Sequence, residues 1–139
     1  MSWDERFLNL AYHIAQWSKD PSTQVGCVIA DGKYIRAVGF NGFPATMEDN
    51  DRLSSEGKHD WIIHAEENAI LSAQGSLKGC TAYIWPLNPC TRCAAKLIQV
   101  GVSRVVANTP SNHHAHKYQL DKVKDVFAEC NVNFELVEF

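Results

Sequence analysis

Two short segments of the chain carry side chains that could do chemistry together: His64-Ala65-Glu66, and Pro89-Cys90-Thr91-Arg92-Cys93. Imidazole and thiolate are zinc ligands, and the thiolate is the form of cysteine that binds metal. Cys90 and Cys93 stand at i and i+3 where a helical run begins, which puts both sulfurs on one face. The unpaired N–H groups of a first turn favour negative charge there. Two sulfurs do not complete a tetrahedral site, and there is no second C-x-x-C to close a structural one. A catalytic zinc needs three protein ligands and an open position, and His64 can supply the third. Glu66 then has a use other than ligation. A carboxylate beside the open position can take a proton from acidified water and hand it to a substrate nitrogen. Residues two apart on an ideal helix point about 200° from one another, so His64 and Glu66 converge only if the first turn adjusts. The competing reading makes the two cysteines core residues and Glu66 a surface charge.

The elements around these segments alternate. Residues 2–18 have a capping-box start, Ser2 with Glu5, and apolar residues at helical spacing: Trp3, Phe7, Leu10, Ile14 and Trp17. "TQVGCVIA" (23–30) and "KYIRAVGF" (33–40) read as strands joined by Asp31-Gly32, a hairpin signal. Residues 41–62 lack periodicity and read as a long loop. "HAEENAILSAQG" predicts a helix stopped near Gly75, "CTAYIWPL" a strand, and "CTRCAAKLIQVG" a helix entered after Pro89. "SRVVAN", "KYQLDKVKDVFAEC" and "VNFELVEF" add a strand, a helix and a last strand. The order α-β-β-α-β-α-β-α-β favours parallel pairing in the second half. It predicts a three-layer α/β/α sandwich around a mixed five-stranded sheet, as one domain over residues 1–139.

Composition narrows the function classes. The 139 residues suit one domain, and 45% hydrophobic content with 21% charge is ordinary for a soluble protein. Net charge is −3, and the 13 Lys and Arg form no cluster of four. That does not suggest a chain built around a nucleic-acid strand. No apolar run nears the roughly 20 residues needed to span a bilayer. The start "MSWDERF" lacks the pattern of a signal peptide, so a cytoplasmic protein is expected. Five cysteines without a secretory signal argue against a disulfide framework. Cys27, Cys80 and Cys130 read as small buried apolar residues.

His-x-Glu with Pro-Cys-x-x-Cys is the pattern of zinc-dependent base deaminases. The chain resembles the deoxycytidylate (dCMP) deaminases, within the cytidine deaminase superfamily. Four stretches carry the resemblance: "WSKDPSTQVGCVIADG" (17–32), "GFNGFPATMED" (39–49), "HAEENAIL" (64–71) and "WPLNPCTRCAAKLIQVGVSRVV" (85–106). It implies a cytidine deaminase-like fold and hydrolysis of dCMP to dUMP and ammonia. It also implies zinc on His64, Cys90 and Cys93, with Glu66 carrying protons to N3 and then to the leaving amine. Backbone near Ala65 and Pro89 would hold the pyrimidine edge. Asn41 would contact the sugar, although Asn before Gly42 also suits a plain turn. Ser22 and Thr23, with Lys19 nearby, could bind the 5′-phosphate or simply form the turn around Pro21. Arg92 could face either the site or solvent.

After Val106 the family continues with an Asp-Lys-Tyr type of segment, whereas this chain reads "ANTPSNHHAHKYQ". His113, His114 and His116 in that stretch read as a polar loop, with phosphate contact or a second metal as alternatives. The departure leaves other substrates open: CMP, a 5-modified dCMP, cytidine, or a tRNA or DNA base. A non-catalytic zinc domain used in assembly is the reading of a different class. Resemblance further implies a homo-oligomer, such as a hexamer.

Overall fold

The computed structural model describes all 139 residues. Helix α1 covers Trp3–Ala15 and begins as its sequence requires. Ser2 Oγ accepts the Glu5 N–H at 3.1 Å, and the Glu5 carboxylate accepts the Ser2 N–H at 3.2 Å. The helix buries Phe7, Leu8, Ala11, Ile14 and Ala15. Trp3 and Trp17 are exposed instead of joining that stripe. The cause is the close seat of α1 on the sheet: a Cβ on Gly26 would stand 2.0 Å from the Ala11 carbonyl oxygen. The alanine side of the helix therefore faces inward, and the bulky indoles at its ends stay outside.

Strands β1 (Gly26–Asp31) and β2 (Tyr34–Phe40) form the expected antiparallel hairpin, turning through Gly32 at φ +59°. Strand β3 (Thr81–Trp85) pairs antiparallel with β1, and β4 (Arg104–Asn108) and β5 (Asn133–Val137) follow in parallel. The sheet order is β2-β1-β3-β4-β5.

Alternation along the strands builds two cores. Val28, Ala30, Tyr83 and Val106 meet α1 on one face. Cys27, Ile29, Ala82, Ile84, Val105 and Ala107 face the other way, into a larger cluster. That cluster is covered by helices in the second half of the chain. Between β2 and β3 come the short helix α2 (Lys58–Trp61) and then α3 (Ala65–Ser72). Helix α4 (Thr91–Gln99) joins β3 to β4, and α5 (Asn112–Lys117) with α6 (Leu120–Glu129) joins β4 to β5. Three layers therefore stand, with α1 alone on one side.

Two segments are more structured than loops. Residues 41–62 contain a 3-10 turn over Asn50–Ser54 and helix α2, and Gly42 bridges to Ile63. The histidine-rich stretch forms α5, started by Ser111, whose hydroxyl accepts the His114 N–H at 3.2 Å. Cys27 and Cys80 are buried as expected, but Cys130 is exposed, because it is the capping residue that ends α6. No helix is long and apolar enough to cross a membrane.

Candidate active site

Strands β2 and β3 run parallel on either side of β1, and the chain leaves both at the same sheet edge. Ligand sites of open α/β sheets lie at such carboxyl ends. His64 comes just before α3, and Cys90 just before α4. Each is the N-cap residue of its helix, with extended backbone angles of −71°/159° and −72°/173°. The 200° separation therefore does not apply to His64 and Glu66. The imidazole leaves from an extended residue, and Glu66 leaves from the second residue of the helix. Cys90 uses its sulfur as a capping acceptor for the Cys93 N–H, at 3.4 Å. Gly39 brings α3 close to the sheet, since a Cβ there would lie 2.4 Å from both the Ala65 carbonyl oxygen and the Ala69 amide nitrogen.

The three ligand atoms converge. His64 Nδ1 is 3.3 Å from Cys93 Sγ and 3.5 Å from Cys90 Sγ, and all three atoms lie within 4.8 Å of one another. Ligand atoms around a tetrahedral zinc stand roughly 3.5 Å apart, so one His and two Cys fit such an ion here. The two thiols are pushed in opposite directions. The hydrogen bond from Cys93 holds the Cys90 thiol down to about 4, helped by His64 and opposed by burial. The bond to Cys90 and burial push the Cys93 thiol far up. The Cys90 sulfur in turn raises the His64 imidazole. Binding a divalent cation requires neutral imidazole and thiolate, so it would release protons from these groups.

Glu66 is 3% exposed, and burial pushes its carboxyl up to about 7. It lines a cavity of about 310 Å³ together with His64, Ala65 and Cys90. That volume is at the small end for ligand pockets. Asn41 forms part of the wall. Its Oδ1 accepts the Val25 N–H at 2.9 Å, and its Nδ2 donates to the Thr23 carbonyl at 2.8 Å. Ser22 and Thr23 also line the cavity, and both donate backbone N–H to Asp20 Oδ1, at 2.8 and 3.2 Å. Pro89 is fully buried behind the lining, and its carbonyl accepts Asn88 Nδ2 at 2.9 Å. Lys19 is outside, paired with Asp49, and Arg92 is exposed.

Three cavity residues carry no local signal in the sequence. Lys58 is only 8% exposed and contacts both Asp20 oxygens, at 3.0 and 3.1 Å. Lys117 and Tyr118, at the end of α5, also line the cavity. They fall in the stretch that departs from the resemblance. None of His113, His114 and His116 lines the cavity, although the His114 ring packs 5.9 Å from Tyr118.

Residues 1–109 match the family model described as the cytidine and deoxycytidylate deaminase zinc-binding region. The chain belongs to the cytidine and deoxycytidylate deaminase family. It is 40% identical over 133 residues to the "uncharacterized deaminase in luxG 3′ region" of Aliivibrio fischeri, covering 94% of this chain and 90% of that one. It is 36% identical over 126 residues to the deoxycytidylate deaminase of Mus musculus, covering 84% and 70%. The dCMP deaminase of cyanophage S-TIM5, solved in complex with dCMP and dUMP, superposes with a TM-score of 0.77 at 23% identity, covering 96% and 95%. At that identity the likeness establishes the fold. Within the matched region the ligand atoms of His64, Cys90 and Cys93 converge, and Glu66 lines one cavity with His64 and Cys90.

Proposed function

We propose that the protein is a zinc-dependent deoxycytidylate deaminase that hydrolyses dCMP to dUMP and ammonia in the cytoplasm. One observation carries the chemistry: a buried carboxyl shares a cavity with His64 and Cys90, two of the three converging metal-ligand residues. A non-catalytic zinc domain has no use for Glu66 in that place. The name of the mouse relative supports dCMP as the substrate.

His64, Cys90 and Cys93 would hold zinc, which would supply the Lewis acidity that acidifies water at neutral pH. Glu66, as a carboxylate, takes a proton from the water that adds to C4 of cytosine and delivers it to N3. A C–O bond forms and C4 becomes tetrahedral. Glu66 then carries the second water proton to the exocyclic amine, the C4–N bond breaks, and ammonia leaves. A carboxyl poised near neutrality suits both transfers. Ala65 and the Asn41 wall bound the base and sugar, while Pro89 supports the wall from behind. The phosphate would lie toward Ser22, Thr23 and the exposed ammonium of Lys117, which line the same cavity. A homo-oligomer belongs to the same proposal, supported by exposed aromatic surface at Trp17, Phe40 and Trp61; light scattering tests it.

A panel of dCMP, CMP, deoxycytidine, cytidine and 5-methyl-dCMP, followed by loss of cytosine absorbance, tests the substrate. The expected result is a clear preference for dCMP over deoxycytidine. Equal rates on the two would move the assignment to a nucleoside deaminase.

A further inference from the structure

The proton transfers use Glu66, and the residue beside it, Glu67, lies outside the cavity lining. Its two carboxylate oxygens serve different helices. Oε1 accepts the backbone N–H of His64 at 3.0 Å, and Oε2 accepts the Lys96 ammonium at 2.6 Å. Lys96 belongs to α4, three residues after Cys93. One side chain therefore ties the residue that carries the imidazole to the helix entered by the two cysteines. Ala69 of α3 and Ala94 and Leu97 of α4 belong to one apolar cluster. Apolar contact is non-directional and tolerates sliding. A metal site requires ligand distances within about 0.2 Å. Charge-assisted hydrogen bonds are directional and short, so they can hold what the apolar contact leaves loose.

We propose that Glu67 and Lys96 form a brace that fixes the spacing between the His64 imidazole and the sulfurs of Cys90 and Cys93. Both are positioning residues for the metal site and touch no substrate. The brace rests on the zinc reading given above. Glu67 also caps α3, so Glu67→Ala removes two contacts, whereas Glu67→Gln retains a capping acceptor and loses only the ion pair. Lys96→Met loses the ion pair from a side chain that is 41% exposed and leaves the cap intact.

The test follows zinc release from zinc-loaded protein to a chromogenic chelator, for wild type, Glu67→Gln, Lys96→Met and the double variant. Loss of supporting contacts behind metal ligands commonly costs 10–100-fold in affinity, so zinc release about tenfold faster is expected in each single variant. The double variant should be no worse than either single one, because both remove the same bond. KM for dCMP should stay unchanged while kcat falls. Zinc retention equal to wild type in both single variants would overturn the brace. So would a double variant whose loss is the product of the two single losses. Wild-type protein that takes up no zinc would overturn the zinc reading itself, and the brace with it.

Discussion

Replacing Lys58 by methionine should destabilise the protein sharply while leaving the metal ligands untouched. Its ammonium lies 3.0 and 3.1 Å from the two oxygens of Asp20, and the two side chains are only 11% and 5% exposed. Methionine fills most of the space but removes the charge, leaving a buried carboxylate behind. Breaking a buried pair from one side costs about 3–5 kcal/mol. Asp20 keeps the N–H groups of Ser22 and Thr23, which places the loss near the lower end, about 3 kcal/mol. For a chain of this size that corresponds to a melting temperature lower by roughly 10 °C. Thermal unfolding of zinc-loaded protein, followed by circular dichroism, measures it. Lys58→Met with Asp20→Asn buries no uncompensated charge and should recover most of the loss. Because Lys58 itself lines the cavity, KM for dCMP should rise in both variants. A single variant that melts with wild type would refute the reasoning. A double variant as unstable as the single one would refute it equally.

Gly39→Ala places a methyl 2.4 Å from backbone atoms of α3 at Ala65 and Ala69, so the helix carrying Glu66 must shift. The expected loss is at least about 2 kcal/mol in urea unfolding, with a larger fractional drop in kcat than in stability. Acid should loosen the seat of α1. The Arg104 guanidinium, with help from the Tyr83 hydroxyl, holds the Asp4 carboxyl below its ordinary 3.8. The folded value lies below the unfolded one, so this stabilisation is full above 3.8 and is lost as pH falls through the folded value. Asp4→Asn should flatten the fall in urea midpoint over that acid range. In zinc-stripped protein, acid titration of the ultraviolet thiolate absorbance should show a midpoint at about 4 that Cys90→Ser removes.

Much of the fold was legible because its signals are local. The strand-like run at β1, the Asp31-Gly32 turn and the Ser2–Glu5 box each act within a few residues, and each appears as read. The ligand set was legible for a different reason: Cys, His and Glu types at those spacings have few other uses. What could not be read depends on contacts distant in sequence. Lys58 becomes a cavity residue only because Asp20, 38 residues away, is folded against it. The inward face of α1 is set by Gly26 beneath it, which helical spacing alone does not reveal. His64 and Cys90 looked like helix members because N-cap residues adjoin the periodic run. Their extended backbone is what lets the imidazole and the two sulfurs converge beside the cavity that Glu66 lines.

The most direct measurement pairs metal content with turnover in Glu66→Gln. The amide keeps the size of the side chain and does not remove a ligand, so bound zinc should match wild type. Hydrolysis of dCMP should fall roughly 10²–10⁴-fold, the usual weight of a positioned acid–base group. A variant that retains zinc and still deaminates dCMP at the wild-type rate would contradict the role given to that carboxyl.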